Sequence, residues 1–406
     1  MAKLSTDFVW RSLQVYLKEG AVFILFLLAV ALLAPAEFGL YGYVGGFAYL
    51  FMLLGDFGIA ATVAKLIAEE RDAGPEARGS VFWNGLLATL AFTVLSLMAA
   101  YLLGSVFLAE HAGLLLYALP AIALSPLASF FDGYHRGLRE FKALSIVSLA
   151  ASAAFIIASV FLVLSYGLPG ALLAQAAFFG VFVLGALFLR RDIAFTIDRE
   201  TSRRIVSYAL IVGIGTIGYF LYAKIGSVVL GRAGHLIDAA NFELAARLLG
   251  IAVIMFSVFG QVIAPRMTAL RNDAEKLSLS IAGYRKATLL LAVAATVFLA
   301  AAITFAIQVF LPAYATGAFF LTFAILASTL PFDLWSVVQR QGILVPLGYA
   351  GVMTTGTLVG GAVLLVLAIV LLPFLGAVAV AVATFIARAG TTLWQDRFLR
   401  RQLRAA

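Results

Sequence analysis

The sequence predicts an all-α polytopic membrane protein, with twelve transmembrane helices in two parallel six-helix bundles. Three observations carry this. First, 64% of the 406 residues are hydrophobic and only 12% are charged, at a mean hydropathy of +1.07; a soluble domain carries about 25% charged residues, so this chain cannot clothe a water-facing surface. Second, apolar runs of roughly 20 residues, enough to cross a bilayer, recur along the whole length. Third, the connections between them alternate between basic and nearly charge-free.

The first span, 8–33, ends at Ala34-Pro35-Ala36. Lys3, the apolar run to Leu33 and that small-residue triplet also resemble a secretory signal. The apolar run reaches back to Phe8, however, and cleavage would leave an odd helix among spans that otherwise pair, so the segment is expected to stay. Span 38–67 opens after a turn at Glu37 and runs into the basic loop of Lys65, Arg71 and Arg78. Span 81–103 leads to the short turn at Glu110-His111. Span 114–134 holds Pro120 and Pro126, which should bend it, and ends at Arg136, Arg139 and Lys142. Spans 143–166 and 170–189 form a hairpin at Gly167-Leu168-Pro169. The longest polar connection, 190–204, carries Arg190, Arg191, Arg199, Arg203 and Arg204 and separates an N-terminal bundle, 1–192, from a C-terminal one, 193–406.

In the second half, span 205–230 contains Gly213, Gly215, Gly218 and Gly226, which suit close packing or bending. Span 240–264 ends before Arg271, Lys276, Arg285 and Lys286. Span 287–310 turns at 312–316 into span 317–344, which holds Pro331 and Arg340. Spans 349–372 and 375–392 meet at Pro373, and the tail carries Arg397, Arg400, Arg401 and Arg404. The basic set, with Lys3, belongs to one side. The positive-inside rule places it, and both termini, in the cytoplasm. A multi-pass protein of the cytoplasmic membrane follows. The stretch 38–70 has a looser copy at 242–273, with Phe57-Gly58 falling on Phe259-Gly260, which relates the halves.

Several function classes are disfavoured. The +8 charge lies at helix ends on one side, a topology signal and not a nucleic-acid footprint. There are no cysteines for disulfides. No G-x-x-x-x-G-K-[ST] loop is present. His111, His135 and His235 are scattered without metal-ligand spacing, and no pair of Asp-rich Mg²⁺-diphosphate motifs occurs. An enzyme is not expected, nor a cofactor beyond a coupled proton or sodium ion.

Ionisable residues within spans mark functional candidates, because a charge at the bilayer centre costs at least about 2.5–3.5 kcal/mol. Asp7, Arg11, Gln14 and Lys18 share one helix face, as do Ser125, Ser129, Asp132, Arg136 and Arg139, and Thr329, Asp333, Ser336 and Arg340. Glu243 and Arg247 are four apart and can pair. Lys224, with Ser227 a turn on, and Asp56 lie deep. Arg11, Asp132, Arg136, Arg139 and Arg340 stand near cytoplasmic ends, where snorkelling is the plainer alternative, and Glu243–Arg247 could be a structural pair. The simplest arrangement buries the stripes around a water-filled cavity between the halves, with Arg and Lys in excess. Such a cavity suits an anion, and Arg grips phosphate through paired hydrogen bonds.

The residues Leu33-Ala34-Pro35-Ala36-Glu37-Phe38-Gly39-Leu40-Tyr41, then Gly55-Asp56-Phe57-Gly58-Ile59-Ala60 and Ile67-Ala68-Glu69, resemble the first helix pair of Wzx-type polysaccharide and O-antigen flippases. These belong to the multidrug/oligosaccharidyl-lipid/polysaccharide exporter superfamily. Gly137-Leu138-Arg139-Glu140-Phe141-Lys142 resembles the family's basic turn after helix four. Asn241-Phe242 and Ala246-Arg247-Leu248 resemble its eighth helix. Where the family often has an acidic residue midway along helix seven, this chain has Gly226 with Lys224 beside it; the departure argues against a cation role there and for a positive cavity. The resemblance implies a V-shaped, alternating-access transporter. Its load would be a lipid-linked oligosaccharide on polyprenyl phosphate or diphosphate, with membrane lipids around it and a polysaccharide polymerase or glycosyltransferases as candidate partners. Arg11, Lys18, Lys224, Arg247 and Arg340 would then bind substrate, and Asp56 and Asp333 would couple an ion. The rival expectations are a cation-coupled multidrug exporter of the same superfamily and a non-transport membrane scaffold for polysaccharide assembly.

Overall fold

The structure, a computed structural model, describes residues 2–70, 74–189 and 193–405. Arg71, Arg190 and Arg191, and the side chains of Lys3, Asp7 and Arg404, lie outside the described residues. Among the described residues the elements are helical throughout. In chain order the α-helices are α1 (Ala2–Leu32), α2 (Pro35–Asp56), α3 (Ile59–Glu69), α4 (Pro75–Phe107), α5 (Leu115–Gly137), α6 (Phe141–Tyr166), α7 (Leu168–Phe188), α8 (Arg199–Ala223), α9 (Ile225–Arg232), α10 (Leu236–Ala269), α11 (Ala274–Phe310), α12 (Gly317–Gln339), α13 (Ala350–Leu375) and α14 (Val378–Ala405). Eleven described stretches are long and apolar enough to cross a membrane. The last expected span forms as α14, whose apolar start is diluted by Arg388, Gln395 and Asp396.

Two expected spans are each divided. Span 38–67 breaks between α2 and α3. There Phe57 adopts a left-handed conformation (φ 37°, ψ 37°) and Gly58 follows at φ 81°. Gly58 supplies the positive φ at no steric cost and leaves no room for a Cβ, which would stand 2.8 Å from Val212. Asp56 Oδ1 accepts from the Ala60 amide at 3.0 Å, so a carboxylate caps the positive end of α3. Span 205–230 breaks at Lys224 (φ −128°), between α8 and α9. The matching dipeptide Phe259-Gly260 is not a break: it lies inside the continuous α10. A short π-helical stretch, Arg340–Leu344, follows α12.

The chain divides into two compact units, Met1–Ile217 and Gly218–Ala406, with the division inside α8. In the first unit Phe82, Phe130, Phe131 and Tyr134 interlock edge to face. The turn after α5 is fixed by buried His135, whose Nδ1 lies 2.7 Å from Glu140 Oε2 and whose Nε2 lies 3.1 Å from the Ala186 carbonyl. The connection before α8 is tied down. Phe195 meets Trp83 at 5.1 Å, Ser80 donates to Asp198, and Ser202 donates to Asn84 at 2.6 Å. Arg204 reaches Glu69 at 3.5 Å. Ser80 Oγ, and the Thr201 amide at 2.7 Å, hold the Asp198 carboxyl below the usual carboxylate range.

In the second unit the core is Met267, Ile281, Trp335, Val338, Ile343, Leu344 and Leu399. Gly356 and Gly360 let α13 approach α14, since a Cβ on Gly360 would collide with Thr391.

Candidate functional site

In the first unit the charges gather on Asp132. The α5 carboxylate accepts from Arg11 Nη1 and from Gln14 Nε2, each at 2.8 Å, and Arg136 stands 3.7 Å away. Arg11 and Gln14 lie three apart on α1, so one face delivers both. Lys18, expected on the same stripe, is exposed, its Nζ 6.0 Å from the Phe178 ring centroid; the stripe contributes its first part to the cluster and not Lys18. Asp56 is half-buried and takes part in no ion pair among the described residues.

The second unit holds two clusters, flanking the α8–α9 break. In the first, Glu243 is 5% exposed. Its Oε1 accepts from Lys224 at 2.5 Å and its Oε2 from Ser227 at 2.7 Å, and Arg247 Nη2 stands 3.8 Å off. The break matters here: it places Lys224 as the residue between two helices, free to turn toward α10. One buried carboxylate therefore faces two cations. In the second cluster Asp333 Oδ2 accepts from Arg388 Nη1 at 2.5 Å, with Thr329 Oγ1 3.2 Å away. Arg388 stacks on Tyr222, 5.4 Å from the ring centroid. Arg340 is half-buried and donates its Nε to the Ser336 carbonyl at 3.3 Å.

Of the expected residues, Lys224 and Arg247 thus share one partner, Arg11 joins a separate cluster, and Asp333 is held by an arginine that sequence reasoning passed over. Arg388 had a signal: it interrupts the apolar run at the start of α14, where an arginine needs a reason. In each unit the clusters described hold at least as many cations as anions. Arg11 and Arg136 surround Asp132, and Lys224, Arg247, Arg340 and Arg388 accompany Glu243 and Asp333.

Long apolar helices that keep paired ionisable groups inside each unit define a multi-pass membrane protein. The chain belongs to the polysaccharide biosynthesis protein family, whose sequence model matches residues 4–271. No curated protein matches it. Its fold is that of solved transporters of the MOP superfamily. An inward-facing multidrug resistance MATE family transporter of that superfamily superposes with a TM-score of 0.80 at 16% identity, covering 98% of both chains. The lipid II flippase MurJ, in an inward closed conformation, gives 0.71 at 17% identity, covering 98% of this chain and 87% of its own. A MOP superfamily transporter from Pyrococcus furiosus, described as having a binding pocket of reverse polarity, gives 0.56 at 16% identity, covering 98% of both.

Proposed function

We propose that the protein is a flippase that moves a lipid-linked oligosaccharide, carried on polyprenyl phosphate or diphosphate, across the cytoplasmic membrane for glycan export. The observation that carries this reading is the Glu243 cluster. A single buried carboxylate between Lys224 and Arg247 leaves a net positive charge among apolar helices, and an anionic headgroup is the natural counter-charge. Family membership in polysaccharide biosynthesis supports the glycan load.

In this reading Lys224, Arg247 and Arg340 hold phosphate oxygens, while the polyprenyl tail stays in lipid. With the interior negative, outward movement of the head is favoured by about 2.3 kcal/mol per charge per 100 mV, so a coupled proton or sodium ion serves to reset the empty carrier. Asp56, without a cationic partner among the described residues, suits that ion better than Asp333, which Arg388 occupies. Both termini face the cytoplasm. A polymerase or glycosyltransferases supply and consume the load.

Proteoliposomes test it. A fluorescent polyprenyl-diphosphate glycan should change leaflets with wild-type protein, and the rate should fall at least about tenfold in K224A/R247A, as expected when charge-assisted phosphate contacts are lost. An unchanged rate removes those residues from the site. The likeness to a multidrug MATE transporter favours a second reading, export of an organic cation. It predicts ethidium transport that K224A/R247A leaves intact or improves.

A further inference from the structure

The second cluster of the C-terminal unit contains a cation that is incompletely used. A guanidinium offers five N–H donors. Arg388 gives Nη1 to Asp333 at 2.5 Å and Nη2 to the Tyr222 carbonyl at 3.5 Å, the outer limit of a hydrogen bond. Its Nε is buried with no partner. Buried arginines that serve only as struts satisfy their donors. This one does not, and its side chain keeps 21% of its surface accessible while Asp333 keeps 8%. The side chain therefore keeps some accessible surface, and its guanidinium keeps idle donors, one of them a buried Nε.

The surroundings suit an anion. The Tyr222 ring lies beside the guanidinium, its centroid 5.4 Å from Arg388 Cζ. On the same helices Ser336 Oγ and both amide atoms of Gln339 and of Gln395 are buried without hydrogen-bond partners, and both glutamines are 0% exposed. Such groups are costly unless something polar reaches them. Thr391, one turn before Gln395, faces the cleared position at Gly360.

We infer that Arg388 is a phosphate-binding residue held in reserve by Asp333: a phosphate or diphosphate group takes the idle donors of Arg388 and draws the guanidinium from the carboxylate. This rests on the flippase reading and adds a second anion subsite, on α12 and α14, to the Lys224–Arg247 cluster at the α8–α9 break and on α10. An arginine fork matches two phosphate oxygens at once, which a lysine cannot do. Asp333 acts as the competitor that sets affinity, keeping the empty site neutralised.

Binding to the full chain in nanodiscs tests the inference, with farnesyl diphosphate, farnesol and inorganic pyrophosphate as probes. Wild-type protein should bind farnesyl diphosphate and not farnesol. D333N should bind it about tenfold tighter, and R388Q at least about tenfold weaker, as charge-assisted hydrogen bonds are freed or lost. D333N/R388Q should match R388Q. R388K, which keeps the charge and loses the fork, should fold with a thermal midpoint near wild type and bind weakly. A strut role predicts the opposite pattern, with D333N and R388Q both weakening binding in step with lost stability, and that result overturns the inference. So does a double variant that retains the gain of D333N. Equal binding of inorganic pyrophosphate keeps the anion subsite and overturns its assignment to a lipid. If wild-type protein binds none of the probes, the flippase reading fails as well; if it binds and R388Q binds equally, this inference fails alone.

Discussion

Phe57 lies against Gly213 so closely that a Cβ on the glycine would stand 2.5 Å from the ring. The ring cannot retreat, because Phe57 is locked in a left-handed conformation at the α2–α3 break. The neighbouring pair is reciprocal: Gly58 fits under Val212. The broken helix carrying Asp56 is thereby keyed into α8.

Gly213→Ala should therefore cost about 1–3 kcal/mol, the usual penalty of overpacking a filled contact. Gly58→Ala should cost more, since its φ of 81° adds backbone strain to a clash. Gly45→Ala on α2, where nothing lies within 4 Å of the new Cβ, should be neutral or stabilising. Thermal unfolding in detergent, read by a fluorescence size-exclusion assay, ranks the three.

Glu243 holds Lys224, Ser227 and Arg247 together. Glu243→Gln leaves two partly buried cations without their carboxylate and should destabilise by about 2–3 kcal/mol. Ser227→Ala removes one neutral donor and should cost about 1 kcal/mol. Equal losses in the two variants would mean that Lys224 and Arg247 find other counter-charges. Denaturant titration followed by tryptophan fluorescence separates these outcomes.

The anchoring of the segment before α8 should depend on pH with a defined sign. The folded-state pKa of Asp198 is lowered by Ser80 and by the Thr201 amide, so its contribution is complete above the unfolded value of about 3.9. That contribution is lost as pH falls through the lower folded value. Protease nicking at residues 193–198 should stay constant from pH 7 to about 4 and rise below it. In Asp198→Asn the segment should be nicked faster at neutral pH, with a flatter acid response.

Orientation can be read directly, because the sequence has no cysteine to remove. Glu110→Cys, on a connection with 84% of its side chain exposed, should react with a membrane-impermeant maleimide added outside intact cells. Asn272→Cys, exposed between α10 and α11, should react only after the membrane is opened. The reverse pattern would put both termini outside and invert the transport direction proposed here.

Hydropathy located the eleven described stretches that are long and apolar enough to cross a membrane, and a twelfth that forms the less apolar α14, because lipid imposes a length and a composition that composition alone can register. The intramembrane charges were legible for the same reason: Arg11, Lys224, Glu243, Arg247 and Asp333 stand out wherever the chain is otherwise apolar. Glu243 and Arg247, four apart on one helix, could also be paired from spacing; partners on other helices could not. Asp132 meets Arg11 across a sequence separation of 121, and Asp333 meets Arg388 across 55. Helical periodicity relates only residues a few positions apart. The break at Phe57-Gly58 and the continuity of α10 at Phe259-Gly260 show the same division. One dipeptide type yields either outcome, and packing decides, Val212 and Gly213 in one place and Val338 and Gln341 in the other. The amino-acid sequence by itself determined that this protein lives in a membrane, which side chains lipid would reject, and which charges share one helix face; only tertiary packing decided which charges on different helices neutralise one another, because that choice is made by distances between helices remote in the chain.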